Sequence, residues 1–180
     1  ASGHVSIRFG AKGPINCAVT ACAAGTSAIG DAYKTIAFGD ADVMIAGGVE
    51  AAITPLSVNG FGSMRALSVK NDEPQKASRP FDKDRDGFVI GEGAGIVVME
   101  SVQRARSRSA NILGLISGYG TTCDGVDRIN CASDGKELAR AIKMALDDAK
   151  AAPEEIGYIS LDGLAVDLWD NSEIKALEFV

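Results

Sequence analysis

Short apolar runs of strand length alternate along this chain with stretches whose apolar residues recur at helical spacing, and this alternation constrains the fold more than any other feature. The runs are residues 16–20 (NCAVT), 42–46 (DVMIA), 112–119 (ILGLISGY) and 158–161 (YISL). Between them, residues 23–38 carry Ile29, Tyr33, Ile36 and Ala37 on one helical face, and residues 136–149 carry Leu138, Ile142, Ala145, Leu146 and Ala149. Ser133 or Asp134 is the candidate N-cap of the second helix, with Pro153 shortly beyond its end. The pattern predicts an α/β architecture with strands buried on both faces. Gly47 and Gly48 predict a sharp turn after the 42–46 run. Short helices are expected over 54–59 and 101–107, a long irregular connection over 60–80, one or two strands broken by glycines over 87–100, and an amphipathic helix over 171–180.

With 46% hydrophobic and 23% charged residues, the chain has the balance of a globular protein that buries a core. Its net charge of −6 argues against binding a nucleic-acid backbone, which needs clustered cations. The one basic cluster, Arg104, Arg106 and Arg108, reads as a solvated helix end. No apolar run approaches the roughly 18 residues of a membrane span, and no basic n-region opens the chain, so a cytoplasmic protein without membrane contact is expected. The chain starts at Ala1 rather than Met, and its last helix has no stop signal, so both ends are expected to be cuts in a longer protein.

The four cysteines, Cys17, Cys22, Cys123 and Cys131, lack C-x-x-C spacing, so neither a metal cluster nor a disulfide is expected. Cys22 lies in Val19-Thr20-Ala21-Cys22-Ala23-Ala24-Gly25, where an apolar run meets a helix of small residues. A thiol there meets unpaired backbone N–H groups and the positive end of the helix dipole, which favours the nucleophilic thiolate. Small neighbours leave room for a thioester and let amides serve as an oxyanion hole. On local features alone, a buried inert cysteine and a nucleophile both remain open for Cys22. Cys17, inside the preceding run, reads as core packing.

Two other patterns imitate known sites. Asp82-Lys83-Asp84-Arg85-Asp86-Gly87 starts like a calcium loop, but the twelfth position is Gly93, and strand-like residues follow where a helix is required. Gly91-Glu92-Gly93-Ala94-Gly95 looks like a dinucleotide fingerprint without its third glycine, so no nucleotide cofactor is expected. His4, the only histidine, reads as structural.

Several segments, in order, resemble the β-ketoacyl-acyl-carrier-protein synthases, the condensing enzymes of type II fatty acid and polyketide synthesis. They are GPINCAVTACAAGTSAIGDA around Cys22, AFGDADVMIAGGVEA, GFGSMRALS and ASRPFDKDRDGFVIGEGAGIVVME. The resemblance implies a thiolase-like fold of αβαβα layers, present as an incomplete fragment: residues 1–109 would be the later part of the N-terminal half, and residues 110–180 the start of the C-terminal half. It implies that Cys22 is the acyl-carrying nucleophile and that Phe61 and Arg65 belong to the segment lining the acyl pocket and its mouth. It matches Asp170 and Glu173 to acidic positions after the first catalytic histidine motif. It implies an acyl carrier protein bearing phosphopantetheine-linked acyl and malonyl groups as partner, and a homodimer or a heterodimer with a sister ketosynthase, with residues 16–20 near the two-fold axis. It implies no cofactor.

The departure from the family is local and chemical. Where the family reads His-Gly-Thr-x-Thr, this chain reads Asp162-Gly163-Leu164-Ala165-Val166, so Asp162 replaces the first catalytic histidine, and Leu164 and Val166 replace the threonines that hold the pantetheine arm. In the family, two histidines stabilise the enolate formed as malonyl thioester loses carbon dioxide, and an ionised Asp162 would repel that charge. Three readings follow: a ketosynthase with weakened or altered condensation, a chain-length-factor-like subunit shaping a pocket for an active sister, or an acyltransferase using Cys22 alone.

Overall fold

The computed structural model describes residues 1–180. In chain order it contains α1 (Ser2–Phe9), α2 (Ala24–Phe38), β1 (Val43–Glu50), α3 (Pro55–Ser63), β2 (Gly93–Glu100), α4 (Val102–Ser107), α5 (Lys136–Ala149) and α6 (Asp167–Glu178), with short 3-10 turns at Ala21–Ala23, Pro74–Lys76 and Pro153–Glu155. Two compact units divide the chain. One comprises Ala1–Glu50 with Gly93–Ile116, the other Ala51–Glu92 with Ser117–Val180.

In the first unit, β1 and β2 pair antiparallel, from Val43 opposite Glu100 to Glu50 opposite Gly93, and α2 packs on β1. The predicted turn at Gly47 and Gly48 is instead the middle of β1. Gly47 holds φ at 151°, and a Cβ there would lie 2.0 Å from the Gly95 carbonyl oxygen. Gly48 meets Gly25 of α2, where an added Cβ would stand 3.1 Å from the Gly25 Cα. These glycines permit close backbone approach rather than chain reversal. The buried positions of α2 are Ser27, Gly30 and Ala32, with Ile29, Tyr33 and Ile36 only half-buried and Ala37 exposed. The small residues win the packed face because only they let the helix come this near to glycines in a strand. The strands are not buried on both faces. Ile96, Val97 and Val98 of β2 are exposed on both faces of the strand, since α2 packs chiefly on β1.

Residues 16–20, 112–119 and 158–161 were predicted as strands, and the structure shows irregular chain at all three. A strand exists only through a hydrogen-bonded neighbour, and no segment of this chain pairs with them. Within this chain nothing covers their apolar side chains, Leu113 being 93% and Val19 88% exposed. Cys17 is likewise exposed rather than packed in a core. Helix α1 was not anticipated; it carries His4 on its exposed surface and ends at Gly10 with φ 64°.

In the second unit, α5 and α6 pack together. The α5 start turns on Gly135 at φ 68°, where a Cβ would come within 2.5 Å of the Ser172 carbonyl oxygen, so Gly135 rather than Ser133 or Asp134 caps the helix. Ser172 Oγ donates to the Ala132 carbonyl at 2.8 Å and Lys175 Nζ to the Ser133 carbonyl at 2.8 Å, tying α6 to the same loop. Thr54 caps α3, accepting from Ser57 N, and the helix runs on to Ser63, past the predicted end at 59. The buried apolar side chains of the whole chain are alanines: Ala32, Ala46, Ala66, Ala77, Ala105, Ala139, Ala165 and Ala176. Within this chain, elements therefore touch through small residues.

Candidate functional site

Cys22 sits at the centre of the 3-10 turn Ala21–Ala23, directly before α2, and its side chain is exposed. The residue before it, Ala21, is held in the left-handed region at φ 48°, which an alanine adopts only under constraint. This is a tight elbow that lifts one side chain out of the chain path at a helix start. Ala23 N donates to the Thr20 carbonyl at 3.0 Å, closing the turn, and no side chain caps the α2 amides. The elbow survives because α2 is anchored by the Gly25 to Gly48 approach and because Thr20 Oγ1 and Ser27 Oγ share a hydrogen bond of 2.8 Å.

In the second unit, Asp162, Gly163, Leu164 and Val166 lie together on a loop whose shape is set by two carboxylates of α6. Glu173 accepts from Asp162 N at 2.8 Å and from Gly163 N at 2.9 Å, one amide on each oxygen. Asp170, 0% exposed, accepts from Ala165 N at 3.0 Å and from Phe81 N at 2.8 Å. Gly163 and Ala165 both take left-handed backbone, at φ 58° and 57°, and Gly163 faces Pro80 and Phe81, where a Cβ would be 3.1 Å from Pro80 Cβ. Leu164 and Val166 are half-buried on either side of the buried Ala165.

Arg85 completes this cluster. Its Nε lies 3.1 Å from Asp170 Oδ2 without the alignment of a hydrogen bond, its Nη2 lies 2.7 Å from Asp167 Oδ1, and its Nη1 donates to the Asp82 carbonyl at 2.8 Å. The guanidinium is 11% exposed. The sequence matched Asp170 and Glu173 to acidic positions but gave no sign of what they hold. Charge on a helix reads as solvated, and only the lone arginine inside the acidic 82–86 run hints at an inward partner. That run does not gather its carboxylates on one point. Asp82 Oδ1 accepts from Asp84 N at 2.8 Å and pairs with Arg79 at 3.1 Å, whereas Asp86 accepts from Ser68 Oγ at 2.6 Å and from Val69 N at 3.1 Å.

Burial by surrounding protein pushes the Asp162 carboxyl above its ordinary value, and the negative charges of Glu173 and Asp170 push it the same way. The residue nonetheless keeps an exposed surface, so solvent screens part of that repulsion. Cys131 is half-buried, with its thiol pushed up by burial. Phe61, in α3, meets Phe88 edge to face, with ring centroids 5.3 Å apart. Arg65 follows the helix in left-handed backbone at φ 56° with its side chain exposed.

The sequence profile of the β-ketoacyl synthase N-terminal domain matches residues 1–105, and that of the C-terminal domain matches residues 113–180. The chain is 52% identical, over 99% of its length and 43% of the relative's, to a 3-oxoacyl-[acyl-carrier-protein] synthase 2 of Synechocystis sp.. It is 48% identical to the protein of that name from Staphylococcus aureus, over 99% of its length and 44% of the relative's. Among solved structures it superimposes on a type II polyketide synthase acyl-carrier protein in complex with its ketosynthase bound to the hexaketide, with a TM-score of 0.95 and 38% identity over 99% of this chain and 44% of that one. The chain thus spans less than half the length of these relatives and carries part of their α/β, thiolase-like fold. In sequence over both matched domains, and in backbone, the chain belongs to the β-ketoacyl synthase family.

Proposed function

We propose that this chain is the nucleophile-bearing part of a β-ketoacyl-acyl-carrier-protein synthase, in which Cys22 takes the acyl group. The Cys22 thiolate attacks the carbonyl of an acyl thioester, the tetrahedral oxyanion collapses, and the carrier thiol leaves with a proton. A malonyl thioester then loses carbon dioxide, and its enolate carbon attacks the acyl-Cys22 carbonyl, releasing the thiolate and the lengthened chain. The observation that carries this reading is the exposed Cys22 on a strained elbow at an uncapped helix start. Phe61 and Arg65 contribute to the acyl pocket and its mouth, and Leu164 and Val166 contact the pantetheine arm through apolar surface. The acyl donor is carried by an acyl carrier protein, the partner named for the ketosynthase that this chain superimposes on. The working protein is a cytoplasmic homodimer or heterodimer, with residues 1–109 in its N-terminal half and 110–180 in its C-terminal half.

Condensation is the altered step. Asp162 stands where the family places a histidine, and its neighbours Glu173 and Asp170 make the site still more negative. This favours a second reading, a chain-length-factor-like subunit that shapes a pocket for an active sister. The retained, exposed Cys22 favours the first. Incubating the complete polypeptide with an acyl thioester and weighing the intact protein tests it. One acyl mass per chain, lost in Cys22→Ala, is expected, and an unmodified wild type would overturn the proposal.

A further inference from the structure

An L-residue in left-handed backbone returns to ordinary helical or extended backbone unless its surroundings hold it there. Both amides that Asp170 accepts belong to such residues. Ala165, at φ 57°, donates to Oδ1 at 3.0 Å, and Phe81, at φ 64°, donates to Oδ2 at 2.8 Å. One wholly buried carboxylate therefore grips a strained residue on each oxygen, one beside the 82–86 run and one in the 162–166 loop. The two strained segments also fit together, because a Cβ on Gly163 would lie 3.1 Å from Pro80 Cβ and 3.3 Å from the Phe81 ring. Arg85 orients the carboxylate. Its Nε stands 3.1 Å from Oδ2, the oxygen that holds Phe81, which leaves Oδ1 to Ala165. The guanidinium is itself fixed by Asp167 Oδ1 at 2.7 Å and by the Asp82 carbonyl at 2.8 Å. None of these polar contacts reaches the 162–166 loop, so Arg85 acts on the loop through Asp170.

We infer that Arg85 is a positioning residue for the thioester arm: through Asp170 it holds Phe81 and Ala165 in left-handed backbone and so fixes the neighbours of Ala165, Leu164 and Val166, in the loop that meets the arm. This rests on the proposed contact of Leu164 and Val166 with the pantetheine arm. Without its cation the buried carboxylate is costly, and its grip on both amides weakens. Ala165 then relaxes and carries Leu164 and Val166 out of place. Glycine at position 165 adopts left-handed backbone without that cost, so it makes the clamp unnecessary there.

That difference supplies the test. In the complete polypeptide, KM and the limiting rate of Cys22 acylation by an acyl-pantetheine thioester are measured for wild type, Arg85→Met, Ala165→Gly and the double variant, with amide hydrogen exchange of the peptides containing Phe81 and Ala165. Arg85→Met is expected to raise KM about tenfold, the scale set by left-handed backbone in an L-residue, with the limiting rate near wild type. Exchange at both peptides should quicken while that of α5 stays unchanged. Ala165→Gly alone should keep the wild-type KM, and in the Arg85→Met background it should recover most of the loss. An unchanged KM in Arg85→Met, or a raised KM that Ala165→Gly leaves as it is, would overturn the inference. Should Arg85→Met not fold, Arg85→Lys, which keeps the charge without the guanidinium fork, carries the same comparison. A wild type that accepts no acyl group on Cys22 would sink the acyl-carrier reading, while exchange at Phe81 and Ala165 still decides whether Arg85 holds the clamp.

Discussion

Replacing Asp170 by alanine strikes the cluster that shapes the 162–166 loop, and its cost can be worked from the contacts. Asp170 is wholly buried, accepts two backbone amides and lies 3.1 Å from the Arg85 guanidinium. Removing one member of a buried ion pair costs about 3–5 kcal/mol, because the other charge is left in low dielectric. Arg85 would retain Asp167 at 2.7 Å and the Asp82 carbonyl at 2.8 Å, which places the expected loss at the lower end, about 3 kcal/mol. Asp170→Asn keeps an acceptor oxygen but no charge, and about 2 kcal/mol is expected. The assay is urea unfolding of the complete polypeptide, with Arg85→Met and the double variant closing a cycle. Residues in one network couple by about 0.5–3 kcal/mol, so the double variant should lose clearly less than the sum. A loss below about 1 kcal/mol for Asp170→Ala, or strict additivity, would refute the view that this pair organises the loop.

Two further predictions follow from named positions. Gly47→Ala should destabilise by about 2 kcal/mol or more, because the new Cβ would collide with the Gly95 carbonyl at 2.0 Å, whereas Gly60→Ala, inside α3 with open space around it, should gain up to about 1 kcal/mol; thermal unfolding distinguishes the two, and equal effects would contradict the close-approach account. For Asp162, burial and the neighbouring carboxylates raise the carboxyl, so its neutral form persists to higher pH than in a free aspartate and the repelling anion appears as pH rises through that raised range. Carbon dioxide release from malonyl thioester should therefore fall with rising pH in the wild type and be higher at pH 7 in Asp162→His; the same release from both proteins would count against the repulsion argument.

The sequence made some elements legible because a local signal fixed them. Residues 136–149 form a helix with the predicted bounds, and Cys22 stands at a helix start, because apolar spacing and small residues act over a few positions. The runs at 16–20, 112–119 and 158–161 misled for the converse reason. Their composition suits a strand, but a strand is completed by a neighbour that local sequence does not encode. Gly47 and Gly48 read as a turn because glycine permits both a reversal and a close approach, and only the partner at Gly25 and Gly95 selects the second. The same limit applied to the site. Asp162 was visible as a departure from a motif, but Glu173 gripping its amide, and Arg85 reaching Asp170, join residues far apart in sequence.

The central claim is that one particular sulfur carries the acyl chain, and locating the modification tests it most directly. After reaction of the complete polypeptide with an acyl thioester, fragmentation of the peptide spanning residues 16–30 separates Cys22 from Cys17, which is also exposed in this chain. The acyl mass is predicted on Cys22 alone. Its appearance on Cys17, or on both thiols at similar occupancy, would show that exposure rather than the elbow governs reaction, and would contradict the account.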